Sequence, residues 1–190
     1  GRQILGAPPM KALHHAMKKA LLFSLIALLF QIVSIRADSM TEYGVKAGFV
    51  YNFAKFVEWP GTVFTTAAAP LRLCVLGKSP LDGKLQLLAQ RQIHKHPIEI
   101  TDNPSTQDWP SCQILYLGAD QASRLNVLQA TLAQAPVLTI SDIPNFAEKG
   151  GMIELYIEEG RVRFAINPAI AQRAGLKLSS QILRIAKIVE

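Results

Sequence analysis

Few residues of this 190-residue chain have the types and spacing that could do chemistry. Gly77-Lys78-Ser79 follows an apolar run and matches the end of a phosphate-binding loop, but that motif needs a glycine where Arg72 stands. His94 and His96 lie on one side of an extended segment, and no third His, Cys or Asp stands nearby at a metal-ligand spacing. The sequence therefore predicts strand-end turns with at most a weak anion site, and a solvated loop in place of a metal site.

The remaining candidates for catalysis are thiols and carboxylates. The chain has two cysteines, Cys74 and Cys112, which are expected to be bonded to each other, and the two histidines beyond the N-terminal region are separated by one residue, so no Ser-His-Asp or Cys-His arrangement can be assembled. Glu158-Glu159 falls at a predicted hairpin turn, where both carboxylates are expected to face solvent. Because no nucleophile, base and acid can be grouped, we predict a protein that is not an enzyme and uses no cofactor.

The N-terminal region has the composition of a secretory signal peptide. Lys18 and Lys19 precede the apolar run 20–30, and the small residue Ala37 ends the segment. We predict that residues 1–37 form a leader with its signal peptide, and that cleavage after Ala37 releases the protein into the periplasm. The apolar run is shorter than the roughly 20 residues that a membrane-spanning helix needs, although an uncleaved anchor is the alternative.

The leader also explains the high sequence pI of 9.5. It contains five of the 20 basic residues and none of the 14 acidic residues, so residues 38–190 are close to neutral. Nucleic-acid binding requires a surplus of Lys and Arg on one surface, and we therefore predict no nucleic-acid partner. We expect residues 38–190 to form a single domain.

The two cysteines predict a disulfide bond. An even number of cysteines in an exported protein favours pairing, because the periplasm is oxidising. The alternative is two buried free thiols. A bond between Cys74 and Cys112 would stabilise the domain by about 4 kcal/mol in the chain-entropy treatment.

The apolar pattern of residues 71–190 alternates between strand and helix. Segments of about ten residues with helical character follow several of the short apolar runs, an arrangement that predicts βαβ units and a parallel sheet. A Glu158-Glu159-Gly160 turn between two alternating segments predicts a β-hairpin. The predicted fold class is a three-layer, Rossmann-like α/β domain with a mostly parallel sheet and an antiparallel edge hairpin. Its predicted strands are 71–77, 97–100, 113–118, 136–140, 152–157 and 161–166.

Two further helices flank this pattern. A capping-box sequence, Ser39 to Glu42, predicts a first helix that ends at Pro60 and is apolar on two faces. The last helix is expected to start at Ser179 or Ser180, with an apolar stripe that reaches Val189.

Together with the hairpin, these helices carry more apolar surface than one small sheet needs, and such an excess is typical of an interface. Four residues are the predicted partner contacts, with core packing as the alternative for each: Phe49, Phe56, Ile153 and Phe164.

Three stretches resemble the YfiR family of exported bacterial proteins. They are EYGVKA and YNFAKFVEWP within 42–60, LRLCVLG at 71–77, and GGMI, GRVRFAIN and AGLKLSS within 150–180. The resemblance covers residues 38–190 and implies a periplasmic regulator with a Rossmann-like sheet, dimeric in most relatives. It also implies that Cys74 and Cys112 form the structural disulfide of the family. A second cysteine pair of some relatives is missing here, where Ala147 and Glu154 stand nearby.

The resemblance further implies what the regulator binds. In the best-known system of the family, the regulator binds the periplasmic sensor domain of an inner-membrane diguanylate cyclase and holds the cyclase inactive, and an outer-membrane lipoprotein can sequester the regulator. Cyclic di-GMP and biofilm formation then rise. The expected partners are therefore this cyclase or another sensor protein, the lipoprotein and a second copy of the chain. The alternative is a small-molecule-binding module that reports to a sensor kinase or transporter, as strand-end glycines over a parallel sheet suggest.

Overall fold

The computed structural model of the chain describes residues 42–78 and 81–190. The predicted leader, its cleavage site and the start of the capping box lie outside these residues. Within the described part, no helix is long and apolar enough to cross a membrane.

An eight-stranded sheet forms the centre of the domain. Its spatial order is β10-β8-β7-β6-β5-β2-β4-β3, and all neighbours are parallel except β7 with β8 and β3 with β4. A separate two-stranded antiparallel sheet pairs β1 with β9. The strands are β1 (Val57–Glu58), β2 (Leu71–Leu76), β3 (Gln92–Ile93), β4 (His96–Asp102), β5 (Ile114–Leu117), β6 (Leu138–Ser141), β7 (Ile153–Glu158), β8 (Arg161–Ile166), β9 (Lys177–Leu178) and β10 (Lys187–Ile188).

Helices cover both faces of this sheet, which confirms the predicted three-layer α/β class. One apolar cluster joins alternate side chains of β2, β5, β6, β7 and β8 to helices α1, α2, α4 and α5. A second joins the opposite side chains of β2 and β5 to α3. The helices are α1 (42–55), α2 (Asp82–Leu85), α3 (Leu125–Leu132), α4 (Pro168–Arg173) and α5 (Ser180–Leu183), with 3-10 turns at Gln86–Gln90, Thr106–Ser111 and Ala119–Arg124.

Local sequence signals fix the predicted hairpin and the start of α4. Glu159 and Gly160 both have positive φ, 51° and 70°, the conformation that a two-residue hairpin turn requires. Asn167 caps α4, since its side-chain oxygen accepts a hydrogen bond from the amide of Ile170 at 3.2 Å, and Pro168 occupies the first helical position. Each signal acts between neighbouring residues, so the sequence alone located both elements.

The predicted ends of the first and last helices are wrong. α1 ends at residue 55, and the chain then continues as β1 against β9. α5 ends at Leu183, and Lys187–Ile188 joins the main sheet beside Ala165 and Ile166 of β8. Pairing with β8 satisfies backbone groups of an otherwise open strand, which outweighs the helical pattern of the sequence. Ile185, which belongs to the apolar stripe of the predicted last helix, lies between α5 and β10 and is 72% exposed.

Candidate interaction surface

An aromatic cluster connects α1 to the β7–β8 hairpin. The ring of Phe164 on β8 lies 4.9 Å from that of Phe53 and 5.4 Å from that of Phe49, measured between ring centroids. Phe49 and Phe53 are 5.7 Å apart along the helix. Phe53 and Phe164 are buried, whereas Phe49 is half-buried. Tilted and edge-on contacts of this kind hold the helix firmly against the hairpin.

The structure separates the four predicted partner contacts into two pairs. Ile153 is fully buried and Phe164 is 6% exposed, so this chain's own residues already cover both side chains. Phe49 and Phe56 are half-buried and pack against the core with one side only. The two phenylalanines also lie at different places, because Phe56 follows the end of α1, beside β9. Contact of Phe49 and Phe56 with a partner stays a prediction.

Partly exposed apolar side chains lie on both sides of Phe49, along α1 and on the hairpin. Val45 lies one helical turn before it and is 42% exposed, and Ile157 pairs with Val162 across the hairpin on the same face as Phe164. Ile185, in the segment between α5 and β10, borders the same groove as Phe49 and Val162; the groove has a volume of about 460 Å³. We call this the α1–hairpin surface; it comprises Val45, Phe49, Ile157, Val162 and Ile185.

Charged side chains form the rim of this surface. Arg163 forms an exposed ion pair with Glu158 at 3.9 Å, and both border the groove. Lys187 also borders it and pairs with Glu148 at 3.7 Å. An apolar centre with a polar, solvent-exposed rim is the usual composition of a protein–protein interface.

A nearly buried ion network lies beside the α1–hairpin surface. Lys46, 5% exposed, contacts Glu42 at 2.8 Å and Asp142 at 3.3 Å. Burial by itself lowers the pKa of Lys46, but its hydrogen bond to Glu42 and the charge of Asp142 outweigh this effect and raise the pKa above its usual value. The network thereby connects the first turn of α1 to the end of β6 and orients the helix on the sheet.

The strand-end glycines do not form an open anion site. The amide of Gly77 donates to the side-chain oxygen of Asn103 at 2.8 Å, and the amide of Lys78 donates to Asp120 Oδ2 at 3.1 Å. This backbone hydrogen bond lowers the pKa of Asp120. Gly77 has φ of +86°, and a Cβ there would lie 2.2 Å from Asp120 Oδ1, so the carboxylate sits where a bound anion would. The predicted anion site is therefore occupied by the chain itself.

His96 packs against neighbouring residues, and His94 forms part of a turn. His96 Nδ1 lies 2.6 Å from the carbonyl oxygen of Ala69, and its ring stacks on Phe64 at 3.8 Å. His94 stands in the tight turn between β3 and β4, with φ of 50°. Among residues 42–78 and 81–190, no group of three or more His, Cys, Asp or Glu side chains is arranged to hold a metal ion.

The predicted disulfide is confirmed. Cys74 on β2 is bonded to Cys112, which precedes β5, and their Cα atoms are 6.0 Å apart. Both cysteines are at most 1% exposed and pack in one cluster with Trp109. The guanidinium of Arg124 covers the Trp109 ring at 4.6 Å from its centroid. Full burial makes this disulfide a structural element of the core and removes it from easy reach of a thiol.

The chain is similar in sequence to a known family and in structure to two solved proteins. The sequence model of the YfiR/HmsC-like family matches residues 43–187. Among solved structures, the chain is similar to a conserved domain protein from Vibrio cholerae, with a TM-score of 0.45 and 14% identity over 63% of this chain and 55% of that one. It is also similar to an ABC domain in complex with L-Trp from Streptococcus pneumonia, with a TM-score of 0.45 and 14% identity over 68% of this chain and 57% of that one. The chain thus spans little more than half the length of either protein.

Proposed function

The chain belongs to the YfiR/HmsC-like family, and on that premise we propose that it is a periplasmic regulator that binds and inhibits the sensor domain of an inner-membrane diguanylate cyclase. The observation that carries the proposal is the extent of the family match, which covers nearly all of the described domain. By repressing the cyclase, the protein would keep cyclic di-GMP low and restrain biofilm formation. Its role is regulatory and not catalytic.

The α1–hairpin surface is the part of the molecule that best suits such a partner. Val45 on α1 and Ile157 on the hairpin are exposed, Phe49 and Val162 are half-buried, and the aromatic cluster packs the helix against the hairpin. Large exposed apolar groups side by side cost free energy in water, and covering them stabilises a complex. The paired charges at the rim, Arg163 with Glu158 and Lys187 with Glu148, can orient the partner without preventing release.

Two further partners belong to the same proposal. A second copy of the chain would form a homodimer, and an outer-membrane lipoprotein would sequester the regulator and release the cyclase. The alternative function, a small-molecule module acting through the strand-end glycines, loses its motivation, because Asn103 and Asp120 already bond the amides there.

The experiment is a complementation assay in cells that lack the gene. Wild-type protein should restore low cyclic di-GMP and co-purify with the membrane cyclase. Val45→Glu and Ile185→Glu place charges in the α1–hairpin surface and should abolish both effects. Leu87→Glu is the matched control, since Leu87 is 61% exposed on the 3-10 turn after α2, away from this surface. Deletion of the gene without any change in cyclic di-GMP would refute repression of a cyclase.

A further inference from the structure

A groove separate from the α1–hairpin surface runs between α3 and α4. It has two lobes, of about 460 and 530 Å³. One lobe lies over β6 and the segment that leads to β7, and the other reaches Pro60 and Thr62. Ala133, Arg173 and Ala174 border both lobes, so the two cavities adjoin. Each lobe has the size of a small-molecule site.

The floor of the groove is apolar. Three of its residues are nearly buried core side chains, and they present carbon atoms to the cavity: Leu128, Leu132 and Met152. Among the described residues that border either lobe, Arg173 is the only charged one. Its guanidinium has no hydrogen-bond or ion-pair partner in the described part of the chain. Arg173 is itself exposed, and its charge at the edge of an apolar cavity suits an anionic ligand with an apolar body.

Two further polar groups define the first lobe. Thr139 is 4% exposed, and its hydroxyl oxygen accepts a hydrogen bond from the amide of Met152 at 3.0 Å, which leaves the hydroxyl proton free to be donated. The side-chain amide of Gln129 donates a hydrogen bond to the carbonyl oxygen of Lys149, beside Gly150, and so forms one wall of this lobe. A Cβ at Gly150 would lie 2.1 Å from the Gln129 amide nitrogen, so the glycine allows this wall to close.

We propose that this groove binds a small amphipathic monocarboxylate, with the carboxylate on Arg173 and the apolar body over the Leu128–Met152 floor. The planar guanidinium matches a carboxylate with two parallel hydrogen bonds. Arg173 is the last residue of α4, and the partial negative charge at a helix C-terminus disfavours a dianion such as phosphate. No carboxylate borders either lobe within the described residues, so an amino acid's ammonium group would lack a counter-ion. The inference does not depend on cyclase repression.

The test is an NMR titration of the purified mature protein with 4-phenylbutyrate and, separately, with the neutral alcohol 4-phenylbutanol. The acid should shift the backbone amides of Gly150, Ala174 and Gly175 in a saturable way, and the alcohol should bind about tenfold more weakly. Arg173→Gln should weaken binding of the acid by about tenfold and leave that of the alcohol unchanged. Arg184→Gln, which removes an exposed arginine outside the groove, is the matched control and should change neither.

A second variant tests the cavity itself. Ala133 is exposed at the junction of the lobes, so Ala133→Trp should fill the groove with little effect on folding and abolish binding of both compounds. Equal affinity for the acid and the alcohol would overturn the proposal. So would shifts elsewhere on the protein, unchanged binding in Arg173→Gln, or no saturable shift up to the solubility of the salt. Because no cyclase is present, failure here is distinct from failure of the proposed repression.

Discussion

The two faces of the main sheet carry similar apolar side chains but are covered differently. On the α3 face, the disulfide between Cys74 and Cys112 and the buried ring of Trp109 complete the cluster. On the α1 face, Phe53 and Phe164 are buried in the same way, but α1 and the hairpin leave a row of apolar side chains exposed at their outer side. The row includes Val45, Ile157 and Ile185.

This difference shows that residue type alone does not decide whether an apolar side chain is buried or exposed. The α3 face packs its buried apolar groups around a disulfide that crosslinks two of its segments, as a structural core does. The α1 face has rigid support beneath an uncovered apolar layer, as a recognition surface does. Variants in the core of the α3 face should therefore mainly lower stability, whereas variants at the exposed apolar residues of the α1 face should mainly weaken partner binding.

The largest loss of stability is expected on the α3 face. Replacing both Cys74 and Cys112 by alanine should cost about 4 kcal/mol, because the unfolded chain loses the constraint on a 38-residue separation. Thermal unfolding should shift down by about 10 °C. Denaturing reduction of the wild type should reproduce the shift, whereas the double variant should not respond to reductant. Equal melting of all forms would contradict a structural disulfide.

The next effect is expected beneath the α1–hairpin surface. Phe164→Ala should destabilise the domain by about 3 kcal/mol, because it leaves a cavity among the rings of the aromatic cluster. Phe49→Ala should lower the free energy of unfolding by less, because Phe49 is only half-buried. Urea unfolding of both variants would measure the difference. If Phe164→Ala instead retained stability and lost only partner binding, the assignment of Phe164 to the core would be wrong.

A pH-dependent effect is expected at the ion network. Lys46→Met should cost about 2 kcal/mol at neutral pH, because Glu42 and Asp142 lose their charged donor. The pKa of Lys46 is raised on folding, so its stabilisation is complete below the unfolded pKa of about 10.4 and is lost as pH rises through the higher folded value. Urea unfolding at pH 7 and pH 11 should show the difference between wild type and variant shrinking; a constant difference would refute the role of the charge.

The smallest effect on stability is expected at the exposed layer. Ile185→Ser should change the free energy of unfolding by less than about 0.5 kcal/mol, since the side chain is 72% exposed. Binding to the cyclase sensor domain should nevertheless weaken, as surface plasmon resonance would measure. Leu87→Ser, at a similarly exposed site, is the control for both measurements. Equal binding by the two variants would remove Ile185 from the interface.

The features that the sequence predicts correctly are those whose determining interactions are local. The Asn167-Pro168 cap, the Glu159-Gly160 turn and the apolar runs of the parallel strands all act within a few residues of each other. Cysteine pairing was also predictable, because two cysteines allow one intramolecular disulfide. The stretches that carry the family resemblance lie almost entirely within residues 43–187, which the family model matches.

The features that the sequence does not predict depend on contacts between distant segments of the chain. The apolar spacing predicts that the final helix continues over Lys187–Ile188, but the open edge of β8 pairs with that segment. The strand-end glycines suggested a vacant anion site, and only the fold brings Asp120 to the amide of Lys78, 42 residues away. Likewise, the unpaired Arg173 has no sequence signal, since its isolation depends on which segments surround it.

The sequence by itself determined the α/β class, the hairpin, the disulfide and the family, because apolar period, turn residues and cysteine count act locally or without reference to geometry. The tertiary structure decided which apolar residues are core and which are surface. Ile153 and Ile185 are identical in type, yet one is fully buried and the other 72% exposed. Burial depends on the elements that pack over a position, and those elements arrive from distant parts of the chain.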